Sequence, residues 1–245
     1  MKRTAWGLSA MVGSFVLGTI IALGSLIAME GKLDTATLAA QPLSLPTLLV
    51  ACLDPLAILL EIAALVLLAM GSRQVGDLHR RLVWTAVAFL ATWAVANVGG
   101  FIPLSFAGMR RGSLTLVKTG QMVKAGAALL QYAVPFLMAF GLTRGWSRTV
   151  LWLALGLSVV GNFGVIVLPI SGVELERVGI PGQTIYAPRF AVDYTTGAYP
   201  ALLALGYAGG ALYLAVYVYL AWQTWSATDR GAATDPEAQE QHPRA

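Results

Sequence analysis

The sequence has 245 residues, of which 57% are hydrophobic and 11% charged, with a mean hydropathy of +0.71. Because soluble domains usually carry about 25% charged residues, this composition excludes an ordinary soluble domain and predicts a protein of the cell (inner) membrane, with the lipid bilayer as its first partner. The single cysteine, Cys52, excludes a disulfide within the chain. The net charge of +4 is interpreted as a topology signal, so no nucleic acid partner is expected.

Six apolar segments predict an all-α fold. The first follows Lys2 and Arg3 and covers about 24 residues, far more than the core of a signal peptide. Each segment is long enough to cross a hydrocarbon layer of about 30 Å at 1.5 Å per residue. The expected architecture is a polytopic membrane protein, one bundle of six transmembrane helices within residues 1–225, with spans at about 6–29, 47–70, 82–105, 119–142, 149–170 and 198–223.

Basic residues and tryptophans predict that both termini are cytoplasmic. Alternate connections carry most of the positive charge, as the positive-inside rule requires; these residues are Lys2, Arg3, Arg73, Arg80, Arg81, Arg144 and Arg148. Six of the seven tryptophans fall at the same helix ends, as an interfacial belt would. One connection does not follow the rule, because its basic residues Arg110, Arg111 and Lys118 fall on the outer side.

Two polar segments lie outside the spans. Residues 171–197 are expected to form an outer loop, in which Tyr186, Arg189, Asp193 and Tyr194 are candidates for a lid over a cavity. The alternative is a connector packed on the helix ends. Residues 226–245 are polar and contain no large apolar side chain, and they predict a disordered cytoplasmic tail.

A weak internal echo is compatible with duplication of a helical hairpin; the alternative is a chance match, which arises readily in glycine-rich apolar sequence. The sequence VGGF at 98–101 precedes Pro103, and VGNF at 160–163 precedes Pro169. Glycine and proline interruptions at corresponding positions of two repeats are typical of transporter binding sites.

Motifs exclude several classes of enzyme. The two histidines are His79, placed in a short cytoplasmic loop, and His242, in the tail, so no histidine pair is expected to hold a haem or copper ion in the membrane. The chain contains no H-E-x-x-H, G-x-S-x-G or P-loop motif. No cofactor and no metal are expected.

Two carboxylates in the second span are the main candidates for function. An ionisable group at the middle of a bilayer costs at least about 2.5 kcal/mol and is therefore a functional hypothesis by default. Asp54 and Glu61 are seven residues apart, so they share a helix face about 10 Å apart along the axis. Asp54 precedes Pro55, and it could instead be the N-cap of a shorter helix. Glu61 has no such structural explanation, and it is expected to face a polar cavity or to be protonated.

Other polar residues at depth are candidate partners. Lys124 lies at a depth that allows pairing with Asp54, and Gln131, Asn97 or Asn162 are placed to hydrogen-bond with Glu61. Each has a structural alternative, since a lysine can extend its amine to the interface and amides commonly bridge helices.

Three functions are compatible with these features. The first is transport of a small solute or ion, with an intramembrane carboxylate that couples a proton or cation. The second is a non-catalytic subunit or assembly factor of a membrane complex or homo-oligomer. The third is an intramembrane enzyme that uses Glu61 and Asp54 as acid and base on a lipophilic substrate.

Overall fold

The protein contains six helices long and apolar enough to cross a membrane. A computed structural model describes residues 2–28, 45–180, 183–190 and 197–233. Helices α1 and α2 are each one candidate membrane span, and a 3-10 turn at Ser72–Gln74 follows α2. The third candidate span consists of α3, a π-helical turn and α4. The bounds are Lys2–Ala28 for α1, Leu45–Gly71 for α2, Asp77–Ala96 for α3, Asn97–Phe101 for the first π-turn and Ile102–Arg111 for α4.

The second half of the chain repeats this pattern of candidate spans and adds a hairpin. Helix α5 is one candidate span, and α6, a second π-turn and α7 together form the next. A two-stranded antiparallel hairpin then precedes the last helix. The bounds are Leu114–Phe140 for α5, Trp146–Ser158 for α6, Val159–Phe163 for the second π-turn, Gly164–Ser171 for α7, Val173–Ile180 for β1, Gln183–Phe190 for β2 and Ala198–Ala233 for α8.

The expectation of six apolar helices is confirmed, but several local predictions are wrong. Much of the expected loop 171–197 is the β-hairpin, whose alternating apolar and charged residues fit the twofold period of a strand. The predicted tail is helical as far as Ala233, where an alanine-rich sequence favours extension of α8. Helix α2 continues through Asp54 and Pro55, so Asp54 is not the N-cap of a shorter helix.

The prediction that His79 lies in a short loop is also wrong. It belongs to the first turns of α3 and is buried, because its side chain packs against Gly141 at the end of α5. Among the described residues, neither of its ring nitrogens has a hydrogen-bond partner.

Two tyrosines of α8 form the centre of the bundle. The Tyr217 hydroxyl donates a hydrogen bond to the Pro135 carbonyl of α5 at 2.7 Å, and the Tyr213 hydroxyl donates to the Tyr132 carbonyl at 3.4 Å. Phe15 of α1 stacks on Tyr213 with ring centroids 5.8 Å apart. Helices α1, α5 and α8 therefore meet at one point in the interior.

The remaining helices pack on the outside of this centre. Helix α2 packs along α1, α3 packs along α5, and α6 packs along α8. Close approach of α1 and α2 depends on Gly7, where a Cβ atom would lie 2.9 Å from the Leu68 side chain. Because α2 and α3 are attached to different central helices, they separate after the turn that joins them.

Contacts between helix ends define two faces. Gly71 meets Thr4, His79 meets Gly141, and Trp6 meets Trp225, so these connections and the start of α1 share one end of the bundle. This end, with its exposed Arg3, Arg73, Arg80 and Arg144, is termed the basic face. The opposite end carries the β-hairpin and is termed the hairpin face.

The two π-turns coincide with the internal echo. The first is Asn-Val-Gly-Gly-Phe and the second is Val-Val-Gly-Asn-Phe, and they lie within the third and the fifth candidate spans. In both turns the third residue of the echo contacts the following long helix: Gly100 lies against Val123, and Asn162 lies against Gly206. The echo therefore marks the same local structure twice, while duplication of the hairpin stays a prediction.

We expect Gly161→Ala to destabilise the protein. Its Cβ atom would collide with the backbone nitrogen of Gly206 and lie 2.6 Å from the Leu202 carbonyl oxygen. Backbone atoms in a packed helix cannot move aside, and overpacking of this kind costs about 1–3 kcal/mol. Thermal unfolding in detergent should show a lower Tm. Gly99→Ala is the matched control, since Gly99 occupies the corresponding position of the first π-turn and faces open space. Equal shifts for the two variants would contradict the assigned packing.

Candidate functional site

Glu61 lines a pocket between α2 and α3, near the middle of the bundle. The pocket has a volume of about 360 Å³, and Gln131 of α5 contributes the amide group. Both side chains are half-buried. This Glu61 pocket opens at the side of the bundle, and its apolar walls are Ile58, Ile62, Leu65, Val87, Leu90, Ala91, Trp93 and Ala94.

The position of Glu61 follows from the way α2 is held. Ser14 of α1 donates a hydrogen bond to the Ala57 carbonyl at 3.0 Å, one turn before Glu61. Ala57 and Ala64 are buried, and because they lie four residues before and three residues after Glu61, they place Glu61 on the inward-facing side of α2. The carboxyl group therefore lies between the central helices and the lateral opening.

A second pocket continues from the first towards the basic face. It has a volume of about 910 Å³ and shares Ile62, Leu65 and Val87 with the Glu61 pocket. Three arginines reach it from three different elements. This arginine pocket is lined by Arg3, Ile62, Leu65, Val66, Ala69, Met70, Ser72, Arg73, Gln74, Arg80, Trp84 and Val87.

The two pockets together form one groove with polar groups at its ends. Glu61 and Arg73 are 12 residues apart on α2 and the turn after it, a distance of about 18 Å along the helix axis. The walls between them are apolar. Each volume lies within the range of about 300–1,000 Å³ that is typical of ligand pockets.

Of the candidate residues named from sequence, Glu61 and Gln131 are brought together, and three others lie elsewhere. Asn97 donates to the Trp93 carbonyl at 2.8 Å within its own crossing. Asn162 packs on Gly206 of α8, as a helix-bridging amide would. Lys124 is exposed, with its amine 5.2 Å from the Phe101 ring centroid. The side chain of Asp54 lies outside the described residues, so its proposed pairing with Lys124 stays a prediction.

The lid candidates lie in the hairpin or beyond it. Tyr186 packs on Gly112, in the connection between α4 and α5. Arg189 forms an exposed ion pair with Glu176 across the hairpin at 4.0 Å. These contacts place the described part of the hairpin on the end of α4, whereas the Glu61 pocket is lined by α2, α3 and α5. Asp193 and Tyr194 lie outside the described residues.

The arginines of the groove were missed as site residues. Their positions at helix ends made the topology rule a sufficient explanation for them. No spacing in the sequence indicates that Arg3, Arg73 and Arg80 converge, because they come from separate elements. In the part of the chain that the structure describes, no three His, Cys, Asp or Glu side chains are grouped as a metal site requires.

Comparisons with known proteins give no relative for this chain: no family model, no curated protein and no solved structure matches it.

The lateral opening predicts that Glu61 reacts with an apolar carbodiimide. Dicyclohexylcarbodiimide adds to a protonated carboxyl group and leaves a stable N-acylurea, which peptide mass analysis locates. We expect labelling of Glu61, and its loss in Glu61→Gln. Ala91→Trp fills the pocket and should slow labelling several-fold.

A matched control is Ala88→Trp, one turn earlier on α3, which is exposed but lines a different depression with Arg80 and Arg81. This variant should label at the unaltered rate. Equal slowing by both tryptophans, or no labelling of Glu61 at all, would contradict lateral access to the pocket.

Proposed function

We propose that this protein is a multi-pass membrane transport protein in which Glu61 binds and releases a proton or cation. The observation that carries the proposal is the Glu61 pocket, where a half-buried carboxyl group meets an amide in an apolar cavity of about 360 Å³. The solute is a small molecule or an ion, and its identity is open.

Energetic cost supports a functional role for Glu61. A carboxyl group in the middle of an apolar helix costs at least about 2.5 kcal/mol on insertion. Replacement by an apolar residue would remove that cost, while packing of α2 on α1 uses other residues, such as Ala57 and Ala64. The structural requirement for a carboxyl group at this position is therefore small.

The pocket gives the carboxyl group room to exchange its ligand. Gln131 offers both an amide donor and an acceptor, so it can hydrogen-bond with either protonation state of Glu61. A binding event at Glu61 would thus be felt by α2 and α5.

We propose a membrane orientation in which the basic face is cytoplasmic. The charge distribution supports it, because the arginines of the α2–α3 and α5–α6 connections lie on the face that also carries Arg3. In a Cys52→Ser background, Glu174→Cys should be labelled by an impermeant maleimide on intact cells, since Glu174 is exposed on the hairpin. Thr149→Cys should be labelled only after permeabilisation. The reversed pattern would overturn this orientation.

The transport proposal is tested by Glu61→Gln in proteoliposomes. With a pH-sensitive dye inside and an imposed potential, the unmodified chain should carry a proton or cation flux above that of empty liposomes. Glu61→Gln keeps the shape of the side chain but removes the titratable group, so its flux should fall to the background.

Lys124→Gln is the control, because it removes a charge from an exposed position outside the pocket. Its flux should be unaltered. Undiminished flux in Glu61→Gln would refute the role of this carboxyl group.

The second candidate function is a non-catalytic subunit of a membrane complex. The observation that favours it is the groove itself, because α2 and α3 expose apolar side chains towards each other across a gap wide enough to receive part of another chain. Under this alternative the isolated protein carries no flux, so the same reconstitution separates the two functions.

A further inference from the structure

We propose that the arginine pocket binds the anionic headgroup of a phospholipid, whose acyl chains lie along the groove towards Glu61. This inference rests on the proposed membrane location, but it requires no role for Glu61 in transport. Its basis is the combination of three guanidinium groups at one end of the groove with apolar walls along the rest.

Charge complementarity identifies the headgroup. Arg3 comes from α1, Arg73 from the turn after α2 and Arg80 from α3, and all three line the same pocket. Arg80 also pairs with Asp77 at 3.2 Å, but both side chains are largely exposed, so the pair holds Arg80 only weakly. The pocket therefore keeps an excess of positive charge. Guanidinium groups bind phosphate oxygens through paired hydrogen bonds, and they do so better than lysines.

The dimensions of the groove fit one lipid leaflet. Arg73 and Glu61 are about 18 Å apart along α2, and half of a hydrocarbon core of about 30 Å is about 15 Å. A phosphate at the arginines would place the ends of the acyl chains near the Glu61 pocket. Ile62, Leu65 and Val87, which belong to both pockets, would contact the chains midway.

The surroundings of the arginines match the interface of a bilayer. Trp84, with its side chain exposed, lines the arginine pocket beside Arg80. Tryptophan concentrates at the level of lipid headgroups because its ring is apolar and its indole N–H is polar.

The test compares two lipids that differ only in the headgroup. The full chain is purified in mild detergent and titrated with dioleoyl phosphatidylglycerol or dioleoyl phosphatidylcholine, and native mass spectrometry counts the bound lipids. We expect one saturable site that prefers phosphatidylglycerol. In the double variant Arg73→Gln, Arg80→Gln, affinity for phosphatidylglycerol should fall about thirtyfold, since each arginine near an anionic surface contributes about fivefold in binding. Affinity for phosphatidylcholine should change little.

Arg144→Gln is the matched control, because Arg144 is an exposed arginine on the same face, in the α5–α6 connection and outside the groove. It should retain the preference. A third variant, Ile62→Trp, narrows the junction of the two pockets and should weaken both lipids alike. All variants should run as monodisperse species with the Tm of the unmodified protein, since the altered side chains are exposed.

Several results would overturn the proposal. These are equal affinity for the two lipids, an equal loss in Arg144→Gln, and competition by glycerol phosphate alone as strong as that of the full lipid, which would mean that the apolar walls are not used. A second protein chain found in the groove would also overturn it. Glu61→Gln should keep the lipid preference, so failure of the transport proposal and failure of this one are distinguishable.

Discussion

The hydrogen bonds from Tyr213 and Tyr217 to backbone carbonyls of α5 are the interaction on which the arrangement of this bundle depends. In an apolar interior, a phenol hydroxyl without a partner is costly, so each tyrosine fixes both the rotation and the depth of α8 against α5. Phe15 adds α1 to the same point. The outer helices attach to these three. Helix α2 packs on α1, whereas α3 packs on α5. The gap between α2 and α3 follows from this packing on different central helices, and the groove lies in that gap.

Glu61 gains its significance from this geometry. It lies on the buried side of α2, which it shares with Ala57 and Ala64, and it lines the gap between α2 and α3. There it meets Gln131 from a central helix. The groove thus combines three chemistries in line: a titratable carboxyl group near the middle, an apolar wall, and guanidinium groups at one end. An amphiphilic or ionic ligand requires such a gradation, whereas simple helix packing does not.

Hydropathy alone was sufficient to predict the six apolar helices, because segment length and composition determine them locally. Glu61 and Gln131 could also be predicted, because counting residues along each apolar segment places both near the middle of a helix. The hairpin was missed because eight-residue strands give a weak signal beside a long polar connection. His79 was misplaced because Asp77 lies only two residues before it at the start of α3, and a short polar sequence resembles a loop.

Which residues meet across helices depends on rotation about each axis. Sequence patterns therefore could not predict that Arg3, Arg73 and Arg80 converge, or that Asn162 contacts Gly206.

The sideways opening of the groove changes the quantity that controls its occupancy. A molecule that enters from the bilayer is supplied by diffusion in two dimensions, and its availability is a mole fraction among lipids, with no aqueous concentration involved. Even a weak site would then be filled by an abundant lipid and emptied when the membrane composition changes. If the groove binds a lipid as proposed, a ligand of the Glu61 pocket that entered by the same route would have to displace the acyl chains of that lipid. Binding of a ligand in the Glu61 pocket would consequently depend on which lipids are available to the arginine pocket.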